Sequence, residues 1–113
     1  MFQQIKKRIL VGLTGKNSRQ IEQKISDCEK LKIKRVSLFL EFVSIKQRKE
    51  IYSILLSSKI KKIPFVHARH DMTHDEYKFL VKNFKTKYFN LHETGFKYLP
   101  KSFGFHKKNV NRI

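Results

Sequence analysis

Histidine and carboxylate side chains are unevenly placed along this chain. Four of its five histidines (His67, His70, His74 and His92) and five of its nine acids (Glu41, Asp71, Asp75, Glu76 and Glu93) follow closely on three apolar runs. An imidazole nitrogen beside a carboxylate oxygen can hold a divalent ion such as Zn²⁺ or Mn²⁺, and the prominence of histidine argues against a dedicated Ca²⁺ site. His67 and His92 are the candidate metal ligands. Glu41 stands in an apolar run, and a buried carboxylate needs a partner or a metal. His70 and Asp71 are adjacent and can orient a ligand from behind. Glu41, His70 and Asp71 are therefore the candidate catalytic group, and Arg69 and Asn90 the candidate substrate contacts. Arg69 can grip a phosphate through its planar guanidinium, or pair with Glu41 or Asp71. Asp75 and Glu76 have a plainer reading, because acids in a first helical turn favour the helix dipole. No Ser/His/Asp or Cys/His triad is defensible. Cys28 lies between Asp27 and Glu29 on an apolar helix face and reads as core, and His106 carries no signal.

The elements that must position these residues follow one repeated pattern. An apolar run at Ile9–Leu13 is broken by Thr14-Gly15-Lys16, and Asn17 or Ser18 can cap a helix reaching about Leu31, with Ile21, Ile25, Cys28 and Leu31 on one face. Val36–Val43 reads as a strand covered on both sides, and Ser44 with Gln47 makes a capping box for a second helix to about Ser58. Ile63–Val66 is a third strand in which Pro64 is tolerable near the start or at an edge. Thr73 with Glu76 makes a second capping box, and Tyr77, Leu80, Val81 and Phe84 then recur at helical spacing. Tyr88–Leu91 is a fourth strand, Phe96–Leu99 a short helix stopped by Pro100, and Val110 onward the start of a fifth strand. Gly12–Lys16 lacks the spacing of a nucleotide-binding loop.

Strands near residues 8–14, 35–43, 63–67 and 87–92 have the spacing of βα units, which build parallel sheets. About four units in 113 residues make the N-terminal half of a (β/α)8 barrel, or a small open parallel α/β sheet, and in either case one partial or single domain over 1–113. Ligands bind at the carboxyl edge of such strands. Strand periodicity places Ser37, Phe39 and Glu41 on the face away from the helices, with Asn90 and His92 likewise. The third strand is ambiguous in phase, but His67 on that face matches better, so that Glu41, His67 and His92 converge at one mouth.

Composition sets the limits. The chain carries 26 Lys+Arg against 9 Asp+Glu, a net charge of +17, with 40% hydrophobic residues. That is enough apolar material for a packed core and excludes general disorder. A single cysteine excludes a disulfide framework and a Cys-rich zinc module. No apolar run approaches the ~18 residues of a membrane span. The short apolar stretch after Met1–Arg8 lacks a cleavage site, so a reducing cytoplasm is expected. The positive charge reads either as a lysine-coated surface reflecting composition or as a footprint for nucleic acid.

IPFVHARHDM at Ile63–Met72, followed by Thr73–Glu76 and by YFNLHE at Tyr88–Glu93, resembles the xylose-isomerase-like TIM-barrel superfamily. That group holds sugar and sugar-phosphate isomerases and epimerases and the endonuclease IV type of DNA-repair enzyme. The resemblance covers roughly Arg8 to Glu93. It implies a divalent-metal enzyme with its site at the barrel mouth, His67 and His92 as ligands or substrate contacts, and Glu41 and His70 as helpers. Superfamily members usually draw further metal carboxylates and another His from later strands. The expectation is thus a fragment with an incomplete site, inactive by itself, whose partner is a sugar or sugar phosphate and which can form oligomers. The alternatives are a phosphodiesterase of the endonuclease IV kind and a non-catalytic basic nucleic-acid-binding module.

Overall fold

The computed structural model describes residues 10–91 and 110–112. Five strands and three helices alternate: β1 (Val11–Leu13), α1 (Ser18–Lys30), β2 (Arg35–Phe39), α2 (Ile45–Ser57), β3 (Lys62–His67), α3 (His74–Phe84), β4 (Tyr88–Leu91) and β5 (Val110–Arg112). The sheet is open and all-parallel, in the order β1-β2-β3-β4-β5. The order never reverses, so the described strands contain no topological switch point of the doubly wound kind. Expected strand and helix positions agree with the structure to within a few residues. His92, Glu93, the expected Phe96–Leu99 helix and His106 lie outside the described residues.

Right-handed crossovers advancing in one direction set the helices on one face of the sheet, and burial follows. Leu13, Leu38, Val66 and Phe89 are neighbours in register, and all are fully buried in the core shared with Ile21, Ile25, Ile51, Leu55, Tyr77 and Leu80 of the helices. Phe39, His67 and Asn90 form a register row of opposite pleat.

Local chemistry explains the helix starts. The Asn17 side chain accepts the Gln20 amide at 3.0 Å, and Thr73 and Glu76 form the reciprocal capping box at α3. The box expected at Ser44 does not form. Ser44 makes no capping hydrogen bond. Gln47 instead accepts the Ser18 amide at 3.0 Å, and Ser18 Oγ donates to Glu50 at 2.7 Å, so the side chains of α2 serve the start of α1. The amides of Lys16, Ser18 and Gln20 are thus all occupied by side-chain oxygens.

Two differences from the expected strands matter for the site. A register shift between Arg35 and Ser37 on β2 opposes three residue steps of β3, Lys62 to Phe65, to two of β2. Pro64, which has no amide to donate, sits in this irregularity. The shift lets Ile63 and Val66 both be buried, and resolves the ambiguous phase by pairing His67 with Phe39. Secondly, β2 ends at Phe39 rather than Val43. Leu40 still donates to the His67 carbonyl at 2.9 Å, but the chain then turns, with the Val43 amide on the Leu40 carbonyl. The turn follows from Arg48, whose Nη1 draws in the Val43 carbonyl at 2.8 Å. Glu41 therefore stands in a loop just past the strand, its side chain 36% exposed, and is not the buried carboxylate expected of a continuous strand.

Candidate functional site

The carboxyl edge of the sheet joins two of the expected residues directly. His67 Nε2 lies 2.9 Å from Glu41 Oε2. The carboxylate only accepts, so His67 Nε2 is the donor of this contact. The imidazole is largely buried and stacks on Phe39, with centroids 5.8 Å apart and planes at 20°. Phe39 in turn rests on Phe65, at 6.0 Å. This aromatic support comes from the pleat face that the helices do not occupy, and fixes the ring plane of His67. Asn90 is the register neighbour of His67 on β4, and its carbonyl accepts the Ala68 amide at 2.7 Å.

The remaining expected residues are placed differently. Asp71 lies 3.0 Å from Arg48 Nη1 and 3.6 Å from Arg69 Nε. Of the two readings of Arg69, pairing with Asp71 is the one the geometry displays. His70 is exposed beside them in the β3–α3 loop. His92 lies outside the described residues. Among the described residues, no group of three or more His, Cys, Asp or Glu is close enough to hold a metal ion.

Behind the Glu41–His67 pair lies a buried ionic cluster absent from the sequence-based expectation. Arg48 on α2 is fully buried. Its Nε donates to Glu76 Oε1 at 2.7 Å and its Nη2 to Glu76 Oε2 at 3.1 Å, while Nη1 serves Val43 and Asp71. The Tyr52 hydroxyl also donates to Glu76, at 2.8 Å. Burial opposes charge on Glu76, but hydrogen bonds from Arg48, the Thr73 amide and Tyr52 outweigh it and hold the carboxyl below the usual glutamate value. Burial also opposes charge on Arg48, and Glu76 and Asp71 reverse that, raising its pKa. Burial, then the Glu76 charge, pushes the Tyr52 hydroxyl well up, so Tyr52 stays a donor. The cluster ties α2, the loop after β2 and the start of α3 into one unit beneath the carboxyl edge. One signal marks it in the sequence: Arg48, Ile51, Tyr52 and Leu55 share the helical spacing of a buried stripe, with Arg48 at an apolar position. Glu76 is more than the dipole-favouring acid expected of a first turn, since it joins the cap to Arg48.

No family model, no curated protein and no solved structure matches the chain. No helix among the described residues is long and apolar enough to cross a membrane.

Proposed function

We propose that the carboxyl edge is the site of a sugar or sugar-phosphate isomerase or epimerase, and that the βα units form the N-terminal half of a (β/α)8 barrel. The single observation that carries this reading is the Glu41–His67 pair, formed from two separate βα units at the edge where parallel α/β folds bind ligands. The sequential strand order is compatible with it.

In this reading Glu41 takes a proton from the carbon beside a substrate carbonyl, and the proton returns to the neighbouring or same carbon, giving aldose–ketose exchange or epimerisation. His67, held flat by Phe39, orients the carboxylate through Nε2. Its Nδ1, together with His92, would suit a divalent ion of the Zn²⁺ or Mn²⁺ type, with Glu41 behind the ligating imidazole. Such an ion polarises the substrate oxygens. Among the described residues this arrangement offers His67 Nδ1 as a donor with Glu41 supporting it from behind, and the other ligands come from outside the described residues. Asn90 and Arg69 are the proposed substrate contacts.

Titration calorimetry with Mn²⁺ and Zn²⁺ tests the metal reading. Binding is expected in the unaltered protein, weakened about 10- to 100-fold by Glu41→Gln, the fall typical of losing a group that supports a metal-ligating histidine, and abolished by His67→Ala. Absence of binding, or binding indifferent to both substitutions, overturns it.

A further inference from the structure

The most strongly charged surface is at the opposite end of the strands. Each of the three turns that lead from a helix into a strand repeats one pattern: Lys32-Ile33-Lys34, Lys59-Ile60-Lys61 and Lys85-Thr86-Lys87. The middle residue is turned inward. Ile60 and Thr86 are buried, with Thr86 Oγ1 donating to the Ile63 carbonyl at 2.7 Å, and Ile33 packs against the core. The flanking lysines are left in solvent. Arg35 and Lys62, the next residues of the first two turns, are register partners and equally exposed.

The fold brings these turns together. The Lys61 and Lys62 amides both donate to the Lys34 carbonyl, at 2.8 and 3.1 Å, and the Lys87 amide donates to the Pro64 carbonyl at 3.0 Å. Neighbouring strands are about 4.8 Å apart, so the three turns sit side by side within roughly 10 Å. No acid occurs in residues 31–35, 58–62 or 85–87, and among the described residues no lysine is in an ion pair. Like charges at this spacing repel, so the cluster is a cost to folding.

Backbone conformation adds an independent sign. Lys32 (φ 58°) and Lys85 (φ 56°) are the positive-φ non-glycine residues, and both close helices at this edge. Lys32 stands in the C′ position of a Schellman pairing, with its own amide on the Glu29 carbonyl and the Ile33 amide on that of Cys28. Glycine is the favoured residue there, and a side chain costs on the order of 1 kcal/mol. Two strained positions thus carry lysine at the edge that is already most crowded with positive charge.

We propose that this amino edge binds the phosphodiester backbone of a nucleic acid strand. A row of flexible ammonium groups suits phosphates spaced along a chain, and the exposed ring of Tyr88, at the start of β4 beside the third turn, offers a stacking surface for a base. The middle residue of each Lys-x-Lys turn points into the core, so the turns themselves present lysines, with exposed Leu31 and Leu56 near two of them in sequence. The amino edge is roughly 15–20 Å from Glu41 and His67 along the strands, so it is separate from the proposed catalytic mouth and independent of that reading.

The test uses fluorescence anisotropy with labelled single-stranded RNA and DNA of about 15 nucleotides. Lys32→Gly/Lys85→Gly removes two charges while relieving the backbone, so its thermal melt should match or exceed that of the unaltered protein. It is expected to weaken binding about fivefold to tenfold, with a plot of log affinity against log salt shallower by about 1.4. Lys59→Gln/Lys62→Gln, which touches no strained position, should act alike. Lys46→Ala/Lys78→Ala removes the same charge from helix faces and should weaken binding less than twofold. Preference between RNA and DNA identifies the strand. Lack of binding at low salt, an equal loss in the helix-face control, or binding to phosphatidylserine vesicles but to neither oligonucleotide overturns the proposal.

Discussion

Arg48 is the residue on which the described carboxyl edge most depends. It is fully buried, and four oxygen atoms of three residues, Val43, Asp71 and Glu76, converge on it. Removing one member of a buried pair leaves the other charged and unsatisfied, so Arg48→Met should lower the unfolding free energy in urea by about 3–5 kcal/mol, whereas Arg48→Met/Glu76→Leu should recover much of it. A loss under about 1 kcal/mol for the single variant would show the cluster to be solvated. The pH dependence has a definite sign. Glu76 has its folded pKa below the unfolded value, so its stabilisation is complete above that value and is lost as pH falls through the lower, folded one. Acid unfolding of Glu76→Gln should therefore be less steep below about pH 4.5. An unchanged acid limb would assign that slope to other carboxyls.

The helix starts differ in what holds them. Thr73 is a working cap with a reciprocal bond to Glu76, and Ser44 is a cap position without a side-chain bond. Thr73→Ala should cost about 1 kcal/mol and Ser44→Ala less than about 0.5; equal losses in chemical denaturation would contradict the assigned bonds. Both boxes look alike as sequence. Thr73-x-x-Glu76 closes on itself, whereas Gln47 is diverted to the Ser18 amide 29 residues away. The β2 boundary has the same lesson. Val36–Val43 is apolar but for Ser37 and Glu41, and its pattern does not mark an end at Phe39; the carbonyl of Val43 is drawn to a guanidinium whose burial depends on α3.

At the scale of the whole described fold, two groups of charge stand at opposite ends of the strands. Glu41, Asp71, Asp75 and Glu76 stand at or just beyond the carboxyl edge, and the Lys-x-Lys turns at the amino edge. A net charge of +17 could belong to either end when read along the chain. Lysines on neighbouring turns repel, and the Debye length falls below ~10 Å above ~0.1 M salt. Raising NaCl from about 50 to about 300 mM should therefore raise the melting temperature of the free protein. A flat or falling melting temperature would mean that the edge charges are too far apart to matter.

Periodicity and capping chemistry alone determined the alternation of strand and helix, the parallel sheet, the Thr73 cap and the phase of Asn90, because apolar spacing and capping act within a few residues. The tertiary structure decided the phase of β3, since the register shift at Pro64 depends on pairing with β2. It decided the role of Arg48, whose partners Asp71 and Glu76 lie 23 and 28 residues away. It also gathered three distant Lys-x-Lys turns into one surface, because each crossover returns the chain to the same edge, one strand spacing further along.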